Sequence, residues 1–228
     1  MSILHAADDS TRESYRSAGF TGGFELGERP AIVVVDFCRG FTDPESPLGS
    51  ETSTEVERTR VLLDTARQLG VFVVFTSIAY DEGARAVTTW LRKVPSLGLL
   101  IAGSPWTEID SRLGRLTREP LILKSGASAF YGTSLHALLV ANGTDSVLVL
   151  GATTSGCVRA SVVDSVQHGF PTFVITDCCA DRSPAPHEAN LFDMTAKYAD
   201  PLTAREVVSY LESLSETVAG ARQPFVEG

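Results

Sequence analysis

Sulfur is scarce in this chain, with four cysteines and two methionines among 228 residues. Four cysteines are too few to staple a chain of this length, and no two of them form a Cys-x-x-Cys pair. A disulfide scaffold is therefore excluded, and a reducing cytoplasm is the expected location. Long apolar runs are also missing: nothing approaches the roughly 18 residues that a membrane span needs. The opening MSILHAADDSTRESYRS lacks the basic start and apolar stretch of a signal peptide. Basic charge is short as well, 19 residues against 28 acidic ones, for a net charge of −9. That balance argues against nucleic acid or an anionic membrane as partner, since both require basic patches. A small anionic substrate remains compatible, because one well-placed Arg can hold a carboxylate. Phosphate-binding loops are absent: Gly151-Ala-Thr-Thr-Ser-Gly156 is not followed by the Lys-Ser/Thr of a P-loop, and no Gly-x-Gly-x-x-Gly follows a strand. Neither NAD nor ATP, nor any other cofactor, is expected.

What is present fits one domain with a sizeable core, at 43% hydrophobic and 21% charged residues. Five short apolar runs read as strands: Ala31–Asp36, Val71–Ser77, Pro120–Lys124, Ser146–Gly151 and Pro171–Thr176. They are apolar at nearly every position, as expected for strands covered on both faces. Helices are predicted between and after them. Residues 55–69 place Val56, Leu62, Leu63, Ala66 and Leu69 on one stripe, with Gly70 as a stop. Further helices are predicted over 133–141, 157–168 and 186–197, and Thr203-Ala-Arg-Glu206 is a capping box for a last one. This alternation specifies α/β architecture, a three-layer α/β/α fold with a mostly parallel central sheet. Residues 80–118 break the rhythm and read as an excursion from the sheet. Residues 1–29 read as an extended N-terminal arm, and 30–228 as a single domain.

Open parallel sheets bind ligands beyond the carboxyl ends of their strands. Asp36 ends the first run, Lys124 ends the third, and Cys157 lies six residues past Gly151. An acid, a base and a thiol at three such ends point to nucleophilic catalysis. Cys157 is expected in the first turn of its helix, where free N–H groups and the dipole favour a thiolate and could hold an oxyanion. Lys124 would lower the thiol pKa further, and Asp36 could take and return its proton. The rival reading is zinc, because Cys38, Cys178 and Cys179 also lie near strand ends. Adjacent cysteines are poor tetrahedral ligands and no His-x-x-x-His pair exists, so no metal is expected. His136 and His168 read as helix histidines of the core or surface. His187 is better placed to face the site.

Three segments carry a resemblance: Ile32-Val-Val-Val-Asp-Phe-Cys-Arg-Gly-Phe-Thr-Asp-Pro44, the Lys124 strand, and Gly151-Ala-Thr-Thr-Ser-Gly-Cys-Val-Arg159. They resemble the isochorismatase-like cysteine hydrolase superfamily from about residue 30 to 211, which implies a Rossmann-like topology. Thr154-Ser-Gly-Cys-Val-Arg-Ala160 and Asp177-Cys-Cys-Ala-Asp-Arg-Ser-Pro-Ala-Pro-His-Glu-Ala-Asn190 are most similar to its N-carbamoylsarcosine amidase branch, with the maleamate amidases next. The resemblance implies a catalytic triad of Asp36, Lys124 and Cys157. It implies a cis peptide before Thr153, an oxyanion hole from the N–H groups of Thr153 and Cys157, and Arg182 as a substrate-carboxylate anchor. The nicotinamidase metal motif, Asp-x-His with a further His, is absent. The first loop reads Asp-Phe-Cys where Asp-x-Gln is common, so substrates of the wider superfamily do not carry over.

The expected reaction is release of ammonia from a small carboxylate-bearing amide or ureide, N-carbamoylsarcosine first and maleamate second. Phe41, Trp90, Phe130 and Tyr131 are expected pocket walls. A homodimer or homotetramer is expected, because Leu97, Leu99, Leu100 and Ile101 look too apolar to face water. The rival functions are vinyl-ether hydrolysis, against which the presence of Cys157 counts, and a non-catalytic scaffold.

Overall fold

The computed structural model describes residues 9–20 and 22–221, with side chains to 215. In chain order the elements are α1 (Asp9–Ser17), β1 (Pro30–Val35), α2 (Arg39–Thr42), α3 (Ser53–Gln68) and β2 (Phe72–Ile78). The short helices α4 (Glu82–Val87) and α5 (Thr89–Lys93) follow, then β3 (Leu121–Lys124), α6 (Leu135–Ala141) and β4 (Ser146–Ala152). The chain continues through α7 (Arg159–Gln167), β5 (Thr172–Ala180), α8 (Pro184–Lys197), β6 (Asp200–Leu202) and α9 (Ala204–Ala221).

The six strands form one all-parallel sheet in the order β3-β2-β1-β4-β5-β6. Helices α3 and α9 pack on one face, α7 and α8 on the other, giving three layers. Strands β1 and β4 are buried along their whole length, as their unbroken apolar runs predict. Between these two strands the winding of the sheet reverses, which opens a crevice at their carboxyl ends. Val35 is paired with Gly151 there, so the residues that follow each strand emerge side by side.

Two sequence expectations about strands change. Strand β3 is not covered on both faces: it is the sheet edge, with Leu121 37% and Leu123 54% exposed while Ile122 and Lys124 point inward. A sixth strand, β6, is present that no apolar run announces, being three residues long with Pro201 in its middle. Residues 9–17 of the arm are helical rather than extended. The Tyr15 ring lies 5.1 Å from that of Phe192 on α8, so the helix is held by packing that its polar sequence does not advertise. The start of the arm, 1–8, lies outside the described residues.

The 80–118 excursion consists of α4, α5 and one-turn segments at Pro95–Leu99, Pro105–Thr107 and Ser111–Leu113. Its apolar residues divide. Leu97 and Leu100 are buried in the chain's own core, and only Leu99 and Ile101 face out. The case for an interface between copies therefore rests on half the residues the sequence offered for it. The capping box forms as expected, Thr203 N–H donating to the Glu206 carboxylate at 2.7 Å and Glu206 N–H to Thr203 Oγ1 at 3.3 Å.

Candidate active site

Asp36 leaves β1 in the left-handed region, φ 49°, which Asp tolerates better than most side chains. That turn directs its carboxylate into the crevice, where the residue is fully buried. One oxygen, Oδ1, accepts from Thr76 Oγ1 at 2.8 Å, and the Asp36 N–H donates back to that hydroxyl oxygen at 3.2 Å. The other, Oδ2, accepts from Lys124 Nζ at 2.6 Å. Lys124 comes from β3, with β2 in between. At about 4.8 Å per strand, only a long side chain can cross that gap. Its ammonium also donates to the carbonyls of Gly126 at 3.0 Å and Ala127 at 2.9 Å, so three N–H donors meet three acceptors. The Tyr80 hydroxyl donates to the Ser125 carbonyl at 3.0 Å and steadies the same loop.

Cys157 arrives from β4. Gly151 sits at φ 127°, and a Cβ there would lie 2.0 Å from the Val35 carbonyl oxygen, so only glycine lets β4 run this close to β1. The Ala152–Thr153 peptide is cis, as the resemblance implies. Thr154–Val158 then forms a π-helical turn, with the N–H groups of Gly156 and Val158 donating to the Thr153 carbonyl at 2.9 and 3.2 Å. Cys157 thus lies in a wide turn ahead of α7, not in the first turn of a regular helix; such turns recur at functional sites. Its thiol lies close enough to Asp36 and Lys124 for both to act on its ionisation.

The electrostatics revise the expectation of a resting thiolate. Burial pushes the Cys157 pKa up, the Asp36 charge pushes it further, and Lys124 opposes both without overcoming them. Burial alone would lower the Lys124 pKa, but the charges of Asp36 and Cys157 outweigh it, and the net direction is up. The resting arrangement is therefore a buried Lys–Asp ion pair beside a neutral thiol. Chemically, the carboxylate can take the thiol proton as sulfur attacks, while the fixed cation balances the charge.

The turn is fastened from outside as well. Thr154, fully buried, donates from Oγ1 to the Ala180 carbonyl at 3.2 Å and meets His187 Nδ1 at 2.8 Å. Burial lowers the His187 pKa, against the raising influence of Asp181, Glu55 and Glu188. The Ser155 N–H donates to Asp181 Oδ2 at 2.7 Å. Arg182 borders a cavity of about 240 Å³ with Glu51, Glu55, Asp181 and His187. Its guanidinium donates to the Leu48 carbonyl at 2.6 Å and lies 5.8 Å from the centre of the Phe41 ring.

Of the expected pocket walls, Phe41 is brought to Arg182. Phe130 is not brought to the site: its ring stacks on His168 at 5.2 Å, at the end of α7 away from Cys157. The reason is that the loop after Lys124 runs along α7, pinned where the Ala129 N–H donates to Ser161 Oγ at 2.9 Å. Tyr131 is 77% exposed, its ring lying near Gly126, and Trp90 packs from α5 against the core. His136 joins the His168 stack at 4.8 Å. Cys38, Cys178 and Cys179 are buried free thiols, the last two inside β5 rather than beyond it. Thr76, Tyr80 and Asp181 escaped the sequence reading. The signal available for Thr76 was the pair of adjacent hydroxyls, Thr76 and Ser77, in an otherwise apolar buried strand.

Among the described residues, no group of three or more His, Cys, Asp or Glu side chains could hold a metal ion, and no helix is long and apolar enough to cross a membrane. The model of the isochorismatase domain matches residues 30–206. Maleamate amidohydrolase from Pseudomonas putida is 40% identical over 209 residues, covering 90% of this chain and 97% of that protein. N-carbamoylsarcosine amidase from an Arthrobacter species is 32% identical over 220 residues, covering 94% of this chain and 83% of that protein. A solved cysteine hydrolase from Pseudomonas syringae shares the fold with a TM-score of 0.79 at 21% identity, over 84% of this chain and 96% of that one.

Proposed function

The chain belongs to the isochorismatase family as an amidohydrolase acting on amide C–N bonds, and on that premise we propose that Cys157 is its nucleophile and a small carboxylate-bearing primary amide its substrate. The observation that carries this reading is the buried Asp36–Lys124 pair, 2.6 Å apart, with the Cys157 thiol in reach of both. Asp36 accepts the thiol proton as sulfur adds to the amide carbon. The N–H groups of Thr153 and Cys157 hold the oxyanion. Asp36 then protonates the departing nitrogen, the C–N bond breaks and ammonia leaves a thioester on Cys157. Water, deprotonated by Asp36, cleaves the thioester and regenerates the thiol. Lys124 stays an ammonium throughout, its donors already committed, and acts as the fixed counter-charge.

Arg182 suits the substrate carboxylate because a guanidinium offers paired donors, and only one of its side-chain hydrogen bonds is spent on Leu48. Both maleamate and N-carbamoylsarcosine pair a carboxylate with a terminal amide. The higher identity to the maleamate enzyme, 40% against 32%, reverses the order expected from sequence and puts maleamate first. The test is ammonia release from maleamate, N-carbamoylsarcosine, nicotinamide and biuret by the wild-type protein and by Cys157→Ala. Release from maleamate is expected, with a loss in the variant on the order of 10⁴-fold or more. Unchanged release by Cys157→Ala would reject the cysteine mechanism, and release from N-carbamoylsarcosine alone would restore the original order.

A further inference from the structure

Asp181 is the side chain that touches both the nucleophile's turn and the backbone of the carboxylate-binding arginine. Its Oδ2 accepts the N–H of Ser155, two residues before Cys157, at 2.7 Å. Its Oδ1 accepts the N–H of Arg182 at 2.8 Å. The two oxygens of a carboxylate are rigidly spaced, and bonds to an ionised acceptor are roughly twice as strong as neutral ones. A shift of residue 182 is therefore passed to residue 155 instead of being absorbed between them.

We propose that Asp181 is a positioning residue that couples capture of the substrate carboxylate at Arg182 to placement of the Cys157 sulfur. This rests on the reading of Arg182 as the carboxylate anchor. Before substrate binds, the Arg182 guanidinium is held by the Leu48 carbonyl and the Phe41 ring. A bound carboxylate pulls on that guanidinium, the strain passes along the Arg182 main chain to Asp181, and from Asp181 to the turn. Misplacing a nucleophile by about 1 Å can cost about 100-fold in rate, so a small displacement is enough to matter. The turn does not need Asp181 in order to form. Thr154 still bonds the Ala180 carbonyl and meets His187, and Gly156 and Val158 still close on Thr153. What Asp181 adds is a link that responds to the ligand.

The experiment compares wild type, Asp181→Asn, Arg182→Gln and the double variant on maleamate and on isocrotonamide, which carries a methyl group where maleamate has its carboxylate. Asn offers one acceptor oxygen where Asp offers two, so one of the two N–H groups loses its partner. Asp181→Asn is expected to lower kcat on maleamate at least tenfold with KM within twofold, and to leave isocrotonamide within twofold. Added to Arg182→Gln, it should cost nothing further on maleamate. Equal losses on both substrates, or losses that multiply in the double variant, would overturn the coupling and leave Asp181 a structural cap. If Arg182→Gln leaves the preference for maleamate over isocrotonamide unchanged, the anchor reading itself falls, and the coupling with it. Melting temperatures check that each variant is folded. Should Asp181→Asn unfold, Asp181→Glu keeps the charge but moves both oxygens, and the same substrate-selective loss is required of it.

Discussion

Two ion pairs built on buried carboxylates use similar parts to different ends in this molecule. Arg67 on α3 meets Glu119 in a forked pair at 2.7 and 3.0 Å, and both partners have further ties: Arg67 also donates to the Leu113 carbonyl and lies 3.6 Å from Asp64, and Glu119 accepts the Leu116 N–H. It ties the end of α3 to the segment that enters β3. Lys124 and Asp36 are buried more completely, and their contact is a single 2.6 Å bond. Here too the other groups are committed, the ammonium donating to the Gly126 and Ala127 carbonyls and Asp36 Oδ1 accepting from Thr76, but the carboxylate also faces the Cys157 thiol. Arg with its fixed fork suits a permanent tie. Lys as a point charge on a long stem suits a counter-ion that must reach over a neighbouring strand. The difference between scaffold and chemistry lies in what stands beside the pair, not in the pair.

The largest expected effect separates the two. Asp36→Asn removes the proton acceptor, and its kcat per folded molecule should fall about 10²–10⁴-fold. Glu119→Gln should leave kcat per folded molecule within about twofold. Asp36→Asn strips the buried Lys124 ammonium of its counter-charge and should lower stability by about 3–5 kcal/mol in urea titrations, whereas Glu119→Gln leaves Arg67 paired with Asp64 at 3.6 Å and should cost less. Steady-state rates normalised to the folded fraction by circular dichroism decide the matter. An Asp36→Asn enzyme with more than a tenth of wild-type kcat would end the assignment of Asp36 as base.

A smaller effect sharpens the same contrast. Replacing both members of a buried pair by apolar residues of similar volume often restores or even raises stability. The double change Arg67→Met with Glu119→Leu should therefore recover most of what Glu119→Gln loses, with turnover intact. Lys124→Met with Asp36→Leu should recover stability in the same way and remain inactive. Urea midpoints and rates measured on the two double variants test this. Turnover in the second would remove the pair from the mechanism.

Both members of the proposed catalytic pair were legible in the sequence, because the strand ends of a parallel sheet are where a site is expected and Asp36, Lys124 and Cys157 each follow a readable run. Residues whose role depends on partners far away in the chain were not. Thr76 reaches Asp36 across 40 positions and Tyr80 reaches Ser125 across 45. Strand β6 was invisible because three residues containing Pro201 make no run and exist only by pairing with β5. The π-helical turn at Cys157 reads as an ordinary helix start, since the ring size of its hydrogen bonds leaves no mark on composition. Phe130 misled for the opposite reason: it follows Lys124 closely in sequence, yet the loop carries it down α7 to His168.

The smallest expected effect concerns ionisable groups whose burial outweighs every neighbour that would hold them ionised. Burial pushes the Cys38 and Cys178 thiols from an ordinary 9.0 up to about 12, with minor contributions from Asp36 and Asp177 respectively. The folded protein keeps these protons where the unfolded chain has already released them. Stability should therefore be level up to about pH 9 and fall between pH 9 and about 12. Each such thiol contributes a slope of about 1.4 kcal/mol per pH unit within that window. The sign follows from proton counts: above pH 9 the unfolded state binds fewer protons, so raising the pH draws the equilibrium toward it. Cys178→Ala removes one of these groups without touching the crevice, and urea midpoints across pH 8–11 should decline less steeply in that variant. Parallel curves for variant and wild type would mean that the Cys178 thiol ionises as readily in the fold as outside it, and its burial inside β5 would have to be abandoned.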